Sequence, residues 1–463
     1  MKNRNNIISF FSSLLVLFAG YCVAIAESSK TVDSLPIADS AQCDVVVVGS
    51  GPAGTVAAIQ AGRLGAKTVL IEAAPILGGN MTIGGVNSPE SFFKWKPNQE
   101  FQSGKQVIAG IGWEWCSKTA QWDNGELPDS KRHYRINPVV LVAVGEELCQ
   151  AAGVEIRYYE SPVRVERLTP DKNAKSNSPW NWKLTTCSLG QMRVVLCKEL
   201  VDCTGNATLC ALAGAERMRE DEIMAGSLTY VIKHNVDVKK MPRGEYERLY
   251  NKAMKEGRLK RGDARNGCFG LVTYQGSNYI YDADNSTGKL RTQTNLEGRQ
   301  MALRVLRFIR TLPGGQNAVI ETMYPEVGVR ETYRVKGEHV MQVEDYLVGK
   351  KWDDSVCFAC YQVDLHKPEW KDFIRKKLDP DVIPTVPLRA LIPAGIDHIV
   401  TAGRCISADR QTISAVRIES TSMATGQVAG AAAALSARTN STPKQLDIKE
   451  LKNVLRQHRA IVP

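Results

Sequence analysis

Asp44-Val45-Val46-Val47-Val48-Gly49-Ser50-Gly51-Pro52-Ala53-Gly54 is followed by a helix of small residues and then by Lys67-Thr68-Val69-Leu70-Ile71-Glu72. An apolar strand turning through glycines into a helix, and returning as a second strand that ends in a carboxylate, is the βαβ layout that binds an ADP moiety. Each glycine has its own task. Gly49 permits the tight turn, Gly51 lets backbone N–H groups approach a pyrophosphate, and Gly54 lets the helix pack on the strand. Pro52 and Ala53 open the helix at that anion-binding end, and Glu72 lies where an acid can bond ribose hydroxyls. Glycines also serve plain turns. Here Asp44 to Val48 before the turn, Ala58 and Gly62 along the helix, and Glu72 beyond it favour a dinucleotide site.

The rest of the chain fits an ordinary globular protein. At 463 residues it exceeds a single core and implies two interleaved domains. Hydrophobic residues make up 43% and charged residues 23%, which excludes a disordered or fibrous chain. The net charge of +10 is spread out. Clusters such as Arg258 to Arg265 and Arg375-Lys376-Lys377 read as solvated faces, so no nucleic-acid partner is expected. Twelve cysteines, Cys22 among them, are scattered. Most read as small buried residues, although export permits one or two bridges.

Residues 1–26 read as a secretory signal: Lys2 and Arg4 precede an apolar run from Ile7 to Ala19, and Ala24-Ile25-Ala26 makes a cleavage site. The alternative, a retained anchor, has a short apolar core and no basic stop-transfer flank. Cys22 after Tyr21 is a poor fit to a lipoprotein acceptor, and there is no twin-arginine pair. The expected location is therefore outside the cytoplasm, with no stable membrane span after cleavage.

A flexible leader over 27–42 is expected next, then a nucleotide-binding domain over 43–216. Pro75-Ile76-Leu77-Gly78-Gly79 closes its first βαβ unit. Residues 88–133 carry Trp95, Trp113, Trp115 and Trp122 without periodicity, read as a packed insertion with a lid as the alternative. Pro138 to Ala152 has helical spacing ended by Gly153, and Val154 to Tyr159 returns as a strand. Trp182 to Val201 alternates as a β-meander. A substrate or cap domain is expected over 217–385, with a hairpin turn at Asp282 to Gly288 and an amphipathic helix from Glu297 to Arg310. Residues 386–438 return to the character of the first domain, and 439–463 form a tail whose helix Asp447 caps. The turn at Asp282 resembles a calcium loop only loosely, so no metal site is expected.

With these segments in hand, the chain resembles the FAD-dependent oxidoreductases related to the flavoprotein subunits of fumarate reductase and heterodisulfide reductase. The resemblance rests on Val47 to Glu72, on Val201-Asp202-Cys203-Thr204-Gly205-Asn206-Ala207 and on Gly328-Val329-Arg330-Glu331-Thr332-Tyr333-Arg334-Val335-Lys336-Gly337-Glu338. Ile399 to Ser407 together with Ser422 to Gly430 completes it. It implies an α/β fold: a Rossmann-like FAD-binding domain, split in sequence, with an inserted α+β substrate domain. It also implies that Gly78, Gly79, Gly403 and Arg404 line the ribityl and flavin path, with Thr204 and Gly205 beside the adenine half. The last helix, through Gly426 and Gly430, would approach the flavin or simply pack closely. No histidine follows Gly78-Gly79 where relatives attach flavin covalently, so FAD is expected to be non-covalent. Some relatives carry an iron–sulfur cluster, but no cysteine cluster supports one here.

The expected activity is hydride transfer between a small organic substrate, anionic or sugar-like, and flavin N5. A middle glycine fingerprint for NAD(P)H is absent, so oxygen, a quinone or a redox partner would handle the electrons. The alternative is a flavoprotein that passes electrons to a quinone or protein partner. A reading from another class is a hydrolase, lyase or binding protein with a vestigial nucleotide fold; no Gly-x-Ser-x-Gly or His-Glu-x-x-His motif supports it. Candidate catalytic residues are His366, Arg330, Arg404 and Arg417, with Arg334 and Arg389 also considered for anion recognition. Arg330 beside Glu331 is equally readable as an ion pair. Cys357-Phe358-Ala359-Cys360 invites a redox reading, but its strand pattern places the two thiols on opposite sides, and packing is preferred.

Overall fold

The computed structural model describes residues 37–94, 104–124, 135–168, 178–265, 267–273, 278–366 and 373–463. The signal at 1–26 and Trp95 lie outside them. The apolar run before the glycines becomes strand β1 (Ile37–Val48), the helix is α1 (Pro52–Arg63), and the return strand is β2 (Thr68–Ile71). Val45 to Val48 align in parallel with Thr68 to Ile71. A period of two then sends Val45 and Val47 to one face of the sheet and Val46 and Val48 to the other, and both sets are buried.

Helices α2 (Ile111–Asn124) and α3 (Pro138–Ala151) follow, then strands β3 (Glu155–Arg157), β4 (Glu160–Arg167), β5 (Trp182–Ser188) and β6 (Gln191–Asp202). The sheet order is β3-β2-β1-β6-β5-β4. The β4-β5-β6 meander is antiparallel, whereas β1 and β6 run parallel from Ile37↔Met192 to Val48↔Asp202. Residues 37–42 are therefore strand, and the leader expected over 27–42 is corrected there. Backbone pairing along the first half of β6, not side-chain burial, orders this polar stretch.

Helix α4 (Gly288–Ile309) begins earlier than its apolar periodicity indicated, because its first turns are polar. The Thr287 side chain caps it by accepting from the Leu290 N–H. The expected hairpin at Asp282 to Gly288 is thus a helix entry, in which Asp284 accepts the Ser286 N–H and pairs with Arg219 at 2.7 Å. Strand β7 (Ile399–Thr401) then returns to the sheet and pairs in parallel with Leu200 to Asp202 of β6. Helix α5 (Glu419–Thr439) and helix α6 (Ile448–Gln457), capped by Asp447, complete the chain.

The main core gathers α1, α2, α3 and α5 on one sheet face. Trp115 is buried there, Trp113 packs at its edge, and Trp122 is exposed. Helices α1 and α5 touch backbone to backbone. A Cβ on Gly426 would stand 2.1 Å from the Ala53 carbonyl oxygen, and one on Gly430 2.1 Å from that of Ala57. Ser420 to Ala437 are all buried except Ala424. A separate apolar cluster runs from Leu228 to Val329 and contains the inner face of α4. Met341, Val343, Tyr346, Val356 and Val386 join the main core instead.

Candidate active site

Where β1, β2, β6 and β7 end together, a cavity of about 470 Å³ opens. It is the carboxyl edge of a parallel sheet, the usual ligand crevice of such folds. Gly49 adopts φ +91°, and a Cβ on it would lie 2.6 Å from the Cys203 carbonyl oxygen. A Cβ on Gly54 would lie 1.7 Å from the Gly49 carbonyl oxygen. Gly51 is different: it has φ −60°, lines the cavity, and a Cβ there meets no protein atom within 4 Å. The first and third glycines are required by the protein, and the second leaves room for something that is not protein.

Glu72 secures this loop. Its carboxylate accepts from the Ser50 N–H at 2.7 Å, the Ser50 hydroxyl at 2.8 Å and the Ala74 N–H at 2.8 Å. The Ser50 carbonyl in turn accepts from Gly78 N–H and Thr55 Oγ1. The segment after β6 is fixed by Asp202, which accepts from the Thr204 N–H and hydroxyl, while Thr204 Oγ1 accepts from the Thr208 N–H. Gly403, at φ +79°, donates its N–H to Thr425 Oγ1.

Of the residues singled out in the sequence, Gly49, Gly51, Pro52, Ala53, Glu72, Gly79, Thr204, Gly205, Gly403, Arg404 and Arg417 line the cavity. Gly54, Gly78 and Gly426 shape it from behind. Gly54 and Gly426 set the packing of α1, and Gly78 adopts φ +94° with its absent Cβ 2.5 Å from Thr82 Cγ2. The opposite wall is the entry to α4, Asn285 to Gly288 with Arg291, which sequence reasoning missed. It also missed Glu160, Glu326 and Glu419. For Glu419, the signal was a carboxylate two positions after Arg417 at the start of the small-residue helix.

The four expected catalytic residues separate. Arg404 is tied to residues far away in sequence: Nη1 donates to Thr332 Oγ1 at 3.0 Å, and Nη2 to Asn206 Oδ1 at 2.8 Å and Asn285 Oδ1 at 3.5 Å. Burial pushes its guanidinium down to about 10. Arg330 donates to the Ala225 carbonyl and to Ser227 Oγ. Burial, then the like charges of Arg417 and Arg265, push it down to about 9. The suggested Arg330–Glu331 pair is not formed. Glu331 instead meets Arg410 at 3.0 Å and accepts from the Met224 N–H, while Arg334 bonds Glu220 at 2.7 and 2.8 Å. Arg389 forms a half-exposed pair with Asp354.

His366 is buried, with Nδ1 2.6 Å from the Tyr279 hydroxyl and Nε2 2.7 Å from Asp364 Oδ2. Burial and the nearby Arg330 charge outweigh Asp364 and push the imidazole down to about 3. The neutral tautomer that satisfies both bonds carries its proton on Nε2, donating to Asp364 and accepting from Tyr279. Arg417 stands between this chain and the cavity. Its Nη2 is 3.8 Å from Asp364, and its buried Nε has no hydrogen-bond partner among the described residues.

Cys357 and Cys360 are free thiols that burial pushes up to about 12. Cys360 donates to the Ser91 carbonyl at 3.0 Å. A nucleophilic pair needs thiolates, and this environment disfavours them. Among the described residues no cluster of metal-ligating side chains occurs, and no helix is long and apolar enough to cross a membrane.

Comparison with known proteins bears on this cavity. The sequence model of a family described as "FAD dependent oxidoreductase" matches residues 44–455. A fumarate reductase (cytochrome) of Shewanella frigidimarina is 47% identical over 64 residues, which is 13% of this chain and 11% of that protein. The chain thus matches about a ninth of the length of that relative. Among solved structures, a geranylgeranyl bacteriochlorophyll reductase-like protein from Thermoplasma acidophilum aligns over 90% of this chain and 84% of its own, with 12% identity and a TM-score of 0.41. OxyS anhydrotetracycline hydroxylase from Streptomyces rimosus aligns over 90% and 66%, with 11% identity and a TM-score of 0.42.

Proposed function

Because the chain belongs to the FAD dependent oxidoreductase family, we propose that its FAD lies in the cavity between β1, β6, β7 and the entry to α4, with a small organic substrate at the Arg417 end. The observation that carries this is the open face of Gly51 at the start of α1. The residues there suit the group: unhindered backbone at a helix N-terminus for the pyrophosphate, Glu72 at the ribose position, and Gly79, Gly403 and Ser422 around the remaining path. FAD bound there would supply a two-electron acceptor or donor at N5.

The chain's own residues would do three things. The βαβ loop, held by Glu72 through Ser50, presents its backbone without rearrangement. Arg417, whose buried Nε has no partner among the described residues, and Arg330 behind it favour a substrate that carries negative charge. The Tyr279–His366–Asp364 chain positions Arg417 and, with its histidine neutral, adds no cation of its own.

The test is direct. The purified protein should be yellow or take up added FAD, and a screen of carboxylates, sugars and alcohols under anaerobic conditions should find a compound that bleaches it. A protein that binds no FAD refutes the assignment. If reoxidation by a quinone or protein acceptor far outpaces oxygen, the chain works as an electron-transfer component. Residues 1–26 support export, and N-terminal sequencing of the mature protein should begin near Glu27.

A further inference from the structure

Every oxidoreductase that moves a hydride from an O–H or N–H bearing carbon must also place a proton. We propose that Glu419 is the acid–base residue that takes and returns that proton, an assignment that rests on FAD occupying the cavity. The cavity has four glutamates in its wall, and their bonding separates them. Glu72 holds Ser50 and Ala74, Glu160 accepts from Thr186 and Arg193, and Glu326 is bound by Arg291. Glu419 has only its own backbone N–H among the described residues. Its carboxylate is the one not committed to holding the protein together.

Its mounting is rigid. Glu419 is the first residue of α5, whose next turns are buried and locked against α1, so its backbone keeps its place at the cavity wall. Arg417 and Ser422 flank it. The charged groups that face it are Arg417 and Arg330, which favour the anion, and Glu90, which opposes it. Tyr361 adds a phenol that feels both Glu90 and Glu419. Burial is the largest influence, and together with Glu90 it pushes the carboxyl up to about 7 against the helix terminus and the arginines. A group poised there is protonated and deprotonated with equal ease near neutral pH, which suits general acid–base work.

For an alcohol or amine the step balances as follows. The O–H or N–H bond would break with its proton passing to the Glu419 carboxylate, the C=O or C=N bond would form, and the hydride from the broken C–H bond would go to the two-electron acceptor that bound FAD would supply. The substrate would lose two electrons, for which FAD would be the acceptor. In the reverse direction Glu419 donates the proton. His366 is excluded from this task because both its nitrogens are bonded and it stays neutral.

The test needs no substrate. The visible absorption spectrum and the midpoint potential of the FAD-loaded protein are followed between about pH 5 and 9. In the wild type one protonation step should move the flavin bands near neutral pH, and the slope of potential against pH should change there. Glu419→Gln should abolish both while keeping its FAD. Glu419→Asp should restore the step at a displaced midpoint, and Glu90→Gln should retain it at a lower one. A step that persists in Glu419→Gln, or a loaded wild type with no step, overturns the proposal and leaves the cofactor assignment standing. Failure of the wild type to bind FAD overturns that assignment itself.

Discussion

Replacing Gly51 by Ala adds one methyl group to a place where the protein has no atom within 4 Å. The backbone there, φ −60° and ψ −175°, is open to alanine. The apoprotein should therefore fold as before, the gain of about 0.4–1 kcal/mol from a less flexible unfolded chain being offset by alanine's poorer fit than glycine at the N-cap of α1. The methyl instead occupies the space assigned to the pyrophosphate. Pushing that anion off one backbone N–H forfeits a charge-assisted hydrogen bond worth about 1.5–3 kcal/mol, or about 10- to 150-fold in FAD affinity. Gly54→Ala is the internal contrast. Its methyl would start 1.7 Å from the Gly49 carbonyl oxygen, so α1 must move away from β1, at a cost of about 1–3 kcal/mol or more in the apoprotein. Thermal unfolding of both apoproteins, with FAD titrated by quenching of its fluorescence, separates the two glycines. If Gly51→Ala binds FAD as tightly as the wild type, or unfolds as early as Gly54→Ala, the assignment of the cavity's phosphate end is wrong.

Three further outcomes are expected. Glu72→Ala removes the acceptor of the Ser50 N–H and hydroxyl, so it should weaken FAD retention and also cost the apoprotein about 1–3 kcal/mol; unchanged flavin content would contradict the ribose role. His366, pushed down to about 3, should show imidazole NMR resonances that stay flat from about pH 5 to 8, and a titration in that window would mean that the Tyr279–His366–Asp364 chain is not closed. Glu199, 2.6 Å from His398 Nδ1, is pushed up to about 7 by burial, from 4.5. The native state then holds a proton that the unfolded chain has lost, so this contribution is complete below about pH 4.5 and fades as pH rises through about 7. Glu199→Gln should flatten that decline, measured as urea midpoints at the two ends of the window, and an unaltered decline would place its origin elsewhere.

How much of this was legible in the sequence depends on the range over which each residue is constrained. The βαβ unit was readable because its constraints are local: a valine run, three glycines and a carboxylate all act within one turn of chain. The same holds for Asp447 and the helix it caps. Residues 37–42 were misread because their order comes from pairing with β6, more than a hundred positions away, and their polar side chains carry no trace of it. The entry to α4 failed for a related reason. Asp282 to Gly288 has turn chemistry, which a helix cap and a hairpin share. Arg330, Arg334 and Glu331 were noticed as charged neighbours, and Glu331 and Arg334 do approach each other to 3.9 Å, yet their shorter bonds go to Ala225, Glu220 and Arg410, which no local pattern announces. Cys357 and Cys360 were assigned to packing from strand alternation and from the want of a helix N-terminus; the strand ends at Phe358, before Cys360, and Cys357 is buried while Cys360 is partly so.

The backbone contact between α1 and α5 also sets an order of events. Gly426 and Gly430 seat against Ala53 and Ala57, and β7 must slot beside β6 before the cavity has its far wall. Gly51 leaves the ribosome long before Gly430, and contacts so distant in sequence form slowly. Until α5 arrives the glycine loop after β1 faces an unfinished cleft. A chain truncated before Glu419 should therefore accumulate without colour however much FAD surrounds it, because the cleft that would hold the cofactor lacks one of its walls without α5.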